Sequence, residues 1–366
     1  MEQLKAFLKR KNIVISAKRY GIDALGAMAQ GLFCSLLIGT IINTLGEQMG
    51  VPFLVDVGSY ASAMSGAAMA VAIGYALQAP PLVLFSLVTV GYAANALGST
   101  SLIPDQAGAG GPLAVLFIAV IAAEFGKAVS KETKIDILVT PLVTILVGVG
   151  LSAWWAPAIG TAATAVGNII IWATDLQPFL MGIVVSVVIG VALTLPISSA
   201  AICAAFGLTG LAGGAAVAGC CANMVGFAVL SFRENRWGGL VSQGLGTSML
   251  QMPNIVRNPR IWLPAILTSA ITGPLATCVF HLEMNGPPVS SGMGTCGLVG
   301  QIGVWTGWLA PSERAIANGA VAITPGVMDW AGLILISFVL PAVLCWAFGL
   351  FFRRIGWIKE GDLTLE

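Results

Sequence analysis

Long apolar runs, broken by short polar stretches, dominate the chain. No Asp, Glu, Lys or Arg occurs between Asp56 and Asp105, between Asp175 and Arg233, between Arg260 and Glu283, or between Asp329 and Arg353. Each gap is long enough for at least one membrane crossing at about 20 residues per helix. The pattern predicts an all-α polytopic membrane protein with about 8–10 transmembrane helices. Helices are predicted over about Gly21 to Leu45, Ser59 to Leu77, Pro81 to Leu97 and Pro112 to Phe125, then from Ile135 to Trp154 and from Pro178 to Leu195. Further helices are predicted over Trp262 to Phe280 and Trp330 to Phe352. The half-apolar stretch from Ile159 to Pro178 reads as a helix along the outer surface or packed inside the bundle.

Two apolar segments do not fit simple crossings. "LPISSAAICAAFGLTGLAGGAA", from Leu195, and "GPPVSSGMGTCGLVGQIG", from Gly286, both write Pro-(Ile/Val)-Ser-Ser and follow it with glycines and a Gly-Leu pair. Each lies between positions that the charge pattern puts on one side of the membrane. Residues 196–230 and 286–306 are therefore predicted to be re-entrant hairpins of opposite entry, an inverted repeat in the C-terminal half whose tips meet near the midplane. Proline suits the first turn of a broken helix, and serine supplies capping oxygens. Such a broken helix offers free amides and a positive dipole end to an anion or a set of hydroxyls. The same small residues also permit close helix packing in lipid.

Charge placement orients the chain. Lys and Arg cluster in Lys5 to Arg19, Lys127 to Lys134, Arg233 to Arg260 and Arg353 to Lys359, which the positive-inside rule makes cytoplasmic. Glu47, Asp56, Asp105 and Asp175 lie in stretches without basic residues and are expected outside. Both termini are thus expected in the cytoplasm, and the basic start before a long apolar helix predicts a retained first helix rather than a cleaved signal. The expected organisation is a basic N-terminus at 1–20, a scaffold domain at 21–175, a solute-binding domain at 176–352 and a cytoplasmic tail at 353–366.

Composition agrees with a bilayer as solvent: 57% of residues are hydrophobic and 9% charged, and the mean hydropathy is +0.92. The seven cysteines lie in apolar stretches without metal-binding spacing and read as packing residues. Candidate solute-binding residues are Ser198, Ser199, Ser290 and Ser291 in the two repeats. Glu283, His281 and Asn285 join them at the mouth of the second, and Asn223 on the return arm of the first. Ionisable groups near membrane depth are functional candidates by default. Gln301, Asn95 and Asp105 are weaker candidates. On a helix, His281 and Glu283 would face different ways, which argues against their acting as a catalytic pair. No phosphate loop, dinucleotide fingerprint, metalloprotease helix or nucleophile elbow occurs in the sequence, and no cofactor, metal or nucleic-acid partner is expected.

The order of elements, "KIDILVTPLVTILVGVG" as a fifth helix, two opposed broken segments and an acidic residue before the second, resembles the membrane-embedded IIC subunits of the bacterial sugar phosphotransferase system. More narrowly, "LPISSAA…GLTGLAGGAAVAGCCANMVGF" and "GPPVSSGMGTCGLVG" resemble the IIC-like family that includes a regulator of the perfringolysin toxin gene. The resemblance covers nearly the whole chain. It implies an inner-membrane homodimer formed by the N-terminal scaffold, with a sugar held between the hairpins and a glutamate on its hydroxyls. Glu283 in "HLEMNGPP" takes that place, without the usual Glu-Pro pair. Phosphorylation coupling, where used, would come from separate soluble components. Two functions are weighed: transport of a small polar solute by alternating access, and sensing of a ligand passed to a cytoplasmic regulator through the Arg233 to Arg260 segment.

Overall fold

The computed structural model describes residues 2–102 and 108–365. Asp105 lies outside the described residues. Among the described residues, seven helices are long and apolar enough to cross a membrane, or eight if the bent pair Pro52–Ala63 and Ser65–Ala76 is one span; Pro178–Thr194 is a shorter apolar helix. Among the described residues there is no strand; Gly210 and Met284 form an isolated antiparallel bridge. The chain is a multi-pass α-helical membrane protein. It divides into two compact units, Met1–Ala163 and Thr164–Glu366.

In the first unit, α1 (Glu2–Arg10) precedes a long α2 (Arg19–Met49). The predicted second helix is instead two, α3 (Pro52–Ala63) and α4 (Ser65–Ala76), bent by 46°. Pro52 opens α3 because its missing N–H falls where no intrahelical acceptor exists, so Asp56 is on a helix rather than in a loop. Next come α5 (Pro81–Gly98), α6 (Gly111–Val129) and α7 (Asp136–Thr164), which runs past the predicted end at Trp154. Small residues set the spacing in this unit. A Cβ on Gly66 would lie 2.3 Å from the Gly91 carbonyl oxygen, and one on Gly91 would lie 2.2 Å from that of Gly66. Without a hydrophobic drive between helices in lipid, such close backbone contact is a main source of association.

At one end of this unit the two N-terminal basic clusters of the sequence come together. The Lys127 ammonium is buried, 2.9 Å from Glu124 Oε2, and donates to the carbonyls of Asn12 at 2.7 Å and Leu77 at 3.1 Å. Arg19 donates to the Leu77 carbonyl and the Asn12 side chain, and the Tyr20 hydroxyl to Glu124. Arg10 and Lys11 both pair with Glu132. The Lys11 ammonium bound to Glu132, with Arg10 beside it, holds that carboxyl below the usual carboxylate range. That contribution is present above the ordinary carboxylate pKa and is lost as pH falls through the lowered one.

The second unit holds α8 (Val166–Thr174), α9 (Pro178–Thr194), α10 (Ser199–Ala205), α11 (Gly210–Leu230) and α12 (Phe232–Val241). It continues with α13 (Pro259–Val279), α14 (Val299–Leu309) and α15 (Val327–Arg354). Its centre is α11, 89% buried over its apolar window. Such complete burial explains why the helix is apolar and small-sided all round rather than amphipathic. Around it pack α9, α13 and α15. The first predicted hairpin thus has unequal arms, a seven-residue α10 and a 21-residue α11. The C-terminal tail is docked: the side-chain amides of Asn235 and Gln251 donate to the Leu363 carbonyl, and that of Asn254 to Thr364.

Replacing Lys127 by Met leaves the partly buried Glu124 without its cation, so a loss of up to about 3 kcal/mol is expected. The double variant Lys127→Met/Glu124→Gln should recover part of it. Melting of the purified protein in detergent measures both.

Candidate functional site

The two Pro-x-Ser-Ser elements meet inside the second unit. In the first, Ser198 caps α10, its hydroxyl accepting from the Ala201 N–H at 3.1 Å. Ser199 donates to the Gly292 carbonyl of the second copy at 2.8 Å, and Ser291 of the second donates to the Leu208 carbonyl of the first at 2.7 Å. Each copy therefore satisfies a carbonyl that the other's broken backbone leaves open. Beside these bonds, Gly210 and Met284 exchange both backbone hydrogen bonds at 3.0 Å. This approach requires glycine at the start of α11, since a Cβ on Gly214 would stand 1.7 Å from the Leu282 carbonyl oxygen.

The second copy forms two short 3-10 turns, Pro288–Gly292 and Cys296–Leu298, before α14. Leu298 closes them in a left-handed conformation, φ 60°, unfavourable for a residue with a Cβ, its N–H donating to the Thr295 carbonyl at 3.1 Å. Ser290 is buried against Gly303 and makes no side-chain hydrogen bond among the described residues. It is the hydroxyl of the four that the fold leaves unspent.

Residues 281–285 are not helical, which alters the relation of the candidate polar residues at the mouth. Leu282 and Met284 turn into the core, where they pack with Val217, Val304 and Trp308, while His281 and Glu283 are exposed. The expectation that His281 and Glu283 face different ways assumed a helix; here there is no helix, and both side chains are exposed while Leu282 between them is buried. His281 has φ 44°, marking the sharp turn out of α13. Asn285 is buried and donates to Glu283 Oε2 at 2.9 Å, which fixes one carboxylate oxygen.

Asn223 lies apart from this mouth and is spent on structure. Its oxygen accepts from Trp262 Nε1 at 2.9 Å and from the Thr194 hydroxyl at 3.2 Å, and its amide nitrogen donates to the Gly219 carbonyl and the Ser269 hydroxyl. Gln301 donates to Ser337 at 3.0 Å and to Cys221, while its carbonyl oxygen is buried without a partner. Asn95 belongs to the first unit, within reach of Ser65 at 3.4 Å. All seven cysteines are free, and five of them are buried. No group of His, Cys, Asp and Glu able to hold a metal occurs among the described residues.

Sequence reasoning did not single out the polar segment from Ser312 to Asn318. Ser312 caps a short helix and binds the carbonyls of Asn285 and Gly286 through its N–H and hydroxyl, both at 2.9 Å. Asn318 donates to the Thr209 hydroxyl at 3.1 Å, and the Arg314 side chain crosses the turn at Gly207. The segment thus clamps both copies from one side and brings an exposed guanidinium to them. Its signal in the sequence is "PSERAIANG", a capped polar helix between two apolar stretches.

The serines of the interlock should behave as a coupled pair. Ser199→Ala and Ser291→Ala each leave a buried carbonyl unpaired and should cost about 1–3 kcal/mol. Because both bonds hold one contact, the double variant should lose less than their sum, as read from a double-mutant cycle on melting temperature.

Residues 22–365 match the family described as phosphotransferase system, EIIC. No curated protein and no solved structure matches the chain significantly. Nearly the whole chain is covered by the match, including both units and both Pro-x-Ser-Ser elements, and the helical membrane fold is the one such a match requires. The chain belongs to the phosphotransferase system EIIC family, the membrane transporter component of that system.

Proposed function

We propose that the protein moves a small polar, hydroxyl-bearing solute across the bacterial inner membrane, binding it at the mouth formed by residues 281–291 and the Ser312 to Asn318 clamp. The carrying observation is the division of labour among polar groups. Ser198, Ser199, Ser291 and Asn223 are committed to the protein, whereas Glu283, His281 and Ser290 have hydrogen-bonding capacity left. A carboxylate oriented by Asn285 accepts hydroxyl protons, and an unspent serine can donate or accept. Monosaccharides and polyols match that set. In this reading Ser198, Ser199, Ser291 and Asn223 hold the site in shape rather than touch the solute.

Alternating access would move the second unit, with its interlocked segments as one rigid piece, against a homodimeric scaffold built from the first. The termini and basic clusters would face the cytoplasm, where soluble phosphotransferase components could dock. A second reading, ligand sensing, has one observation in its favour. Thr295, within the second repeat, donates to the carbonyl of Gly244 in the Arg233 to Arg260 segment, so a change at the site has a direct contact with a basic stretch.

In liposomes, Glu283→Gln should lower solute uptake at least about tenfold, the order of one charge-assisted hydrogen bond, while leaving the melting temperature of the solute-free protein nearly unchanged. Wild-type uptake in the variant would remove Glu283 from the site. Saturable binding by the parent protein without any flux would favour sensing.

A further inference from the structure

At the basic end of the second unit two cavities adjoin. One, of about 410 Å³, is a groove walled by Phe232, Trp237, Leu240, Trp346 and Leu350. The other, of about 670 Å³, is walled by charged and polar groups, including Lys359, Glu360 and Thr364. Arg233 and Arg353 belong to the walls of both. Arg353 is neutralised by Glu234 at 2.7 Å and also donates to the Leu230 carbonyl. Arg233 is exposed and has no ion-pair partner among the described residues, so Arg233 and Lys359 together outweigh Glu360 in the polar cavity. Trp237 and Trp346 are 71% and 53% exposed, as expected of indoles at the level of lipid headgroups.

We propose that the paired cavities bind one anionic phospholipid, its acyl chain in the apolar groove and its phosphate between Arg233 and Lys359. The shape of the site selects this class. A soluble anion would fill the polar cavity and leave the aromatic groove empty. A zwitterionic lipid would fill the groove but bring its own cation to Arg233 and Lys359. Basic pockets between helices at the cytoplasmic face suit anionic headgroups. Occupancy also has a mechanical consequence, because the polar cavity is closed on one side by the docked tail at Gly361 and Thr364. A bound headgroup would tie α12, α15 and the tail together.

The test uses the full chain, purified in neutral detergent, with melting temperature followed on addition of phosphatidylglycerol, phosphatidylcholine or glycerol phosphate. Phosphatidylglycerol should stabilise the protein saturably and the other two should not. Arg233→Gln and Lys359→Gln should each weaken its apparent affinity about fivefold, and Lys134→Gln, in the first unit, should leave it unchanged. Equal stabilisation by phosphatidylcholine overturns the proposal, as does unaltered affinity in both variants. Stabilisation by glycerol phosphate equal to that by the lipid would assign the polar cavity to a free anion and overturn the lipid assignment. If either variant fails to fold, quenching of tryptophan fluorescence by brominated phosphatidylglycerol decides instead. It should exceed that by brominated phosphatidylcholine, and the excess should shrink in Trp237→Phe; no excess contradicts the site.

Discussion

In a bilayer there is no water to take up an unpaired N–H or C=O, so a backbone that leaves the helix must find its partners in the protein. This constraint governs the second unit. Residues 206–209 and 281–298 are largely non-helical, and their exposed carbonyls are answered from the opposite segment, by Ser199 on Gly292, by Ser291 on Leu208 and by the exchange between Gly210 and Met284. Neither segment could hold its conformation alone. The glycines that follow each Ser-Ser pair let these backbones come close enough for the bonds to form, and α11 supplies the apolar wall against which Leu282, Met284 and α14 rest.

The same constraint separates structural polar groups from those free to act. Asn223, buried among α9, α11 and α13, makes four hydrogen bonds to protein groups and has no capacity to spare. Glu283 and His281 stand exposed at the edge of a non-helical stretch, with hydrogen-bonding capacity left. A solute at this edge could be bound and released without breaking the interlock, as the rigid-body movement proposed for the second unit needs.

Much of this was legible in the sequence. Charge-free gaps located the spans, because charge is expelled from lipid whatever the packing, and helices such as α5, α9, α13 and α15 follow them closely. The doubled Pro-x-Ser-Ser marked both broken segments, since their chemistry is local. The bend between α3 and α4, the extension of α7 beyond Trp154 and the unequal arms of the first repeat were not legible. They depend on which neighbours cover each face, and hydropathy alone does not encode that. The roles of the four serines were hidden for the same reason: an identical hydroxyl caps, interlocks or stays free according to the carbonyl that tertiary packing brings to it. The Ser312 clamp was missed because a short capped helix in a polar stretch looks like an ordinary loop.

The contact between the two repeats is the claim on which the account rests, and cysteine cross-linking tests it most directly. A Cβ on Gly213 would lie 3.1 Å from the Met284 Cβ, so cysteines at these two positions reach disulfide distance with a small adjustment. Met284→Cys paired with Gly213→Cys should form that bond on mild oxidation in membranes, detected as a linked peptide by mass spectrometry. Met284→Cys paired with Gly238→Cys, on α12, should not. Failure of the first pair to cross-link in a folded, membrane-inserted protein would mean that the two segments do not meet, and the proposed site between them would fall with the interlock.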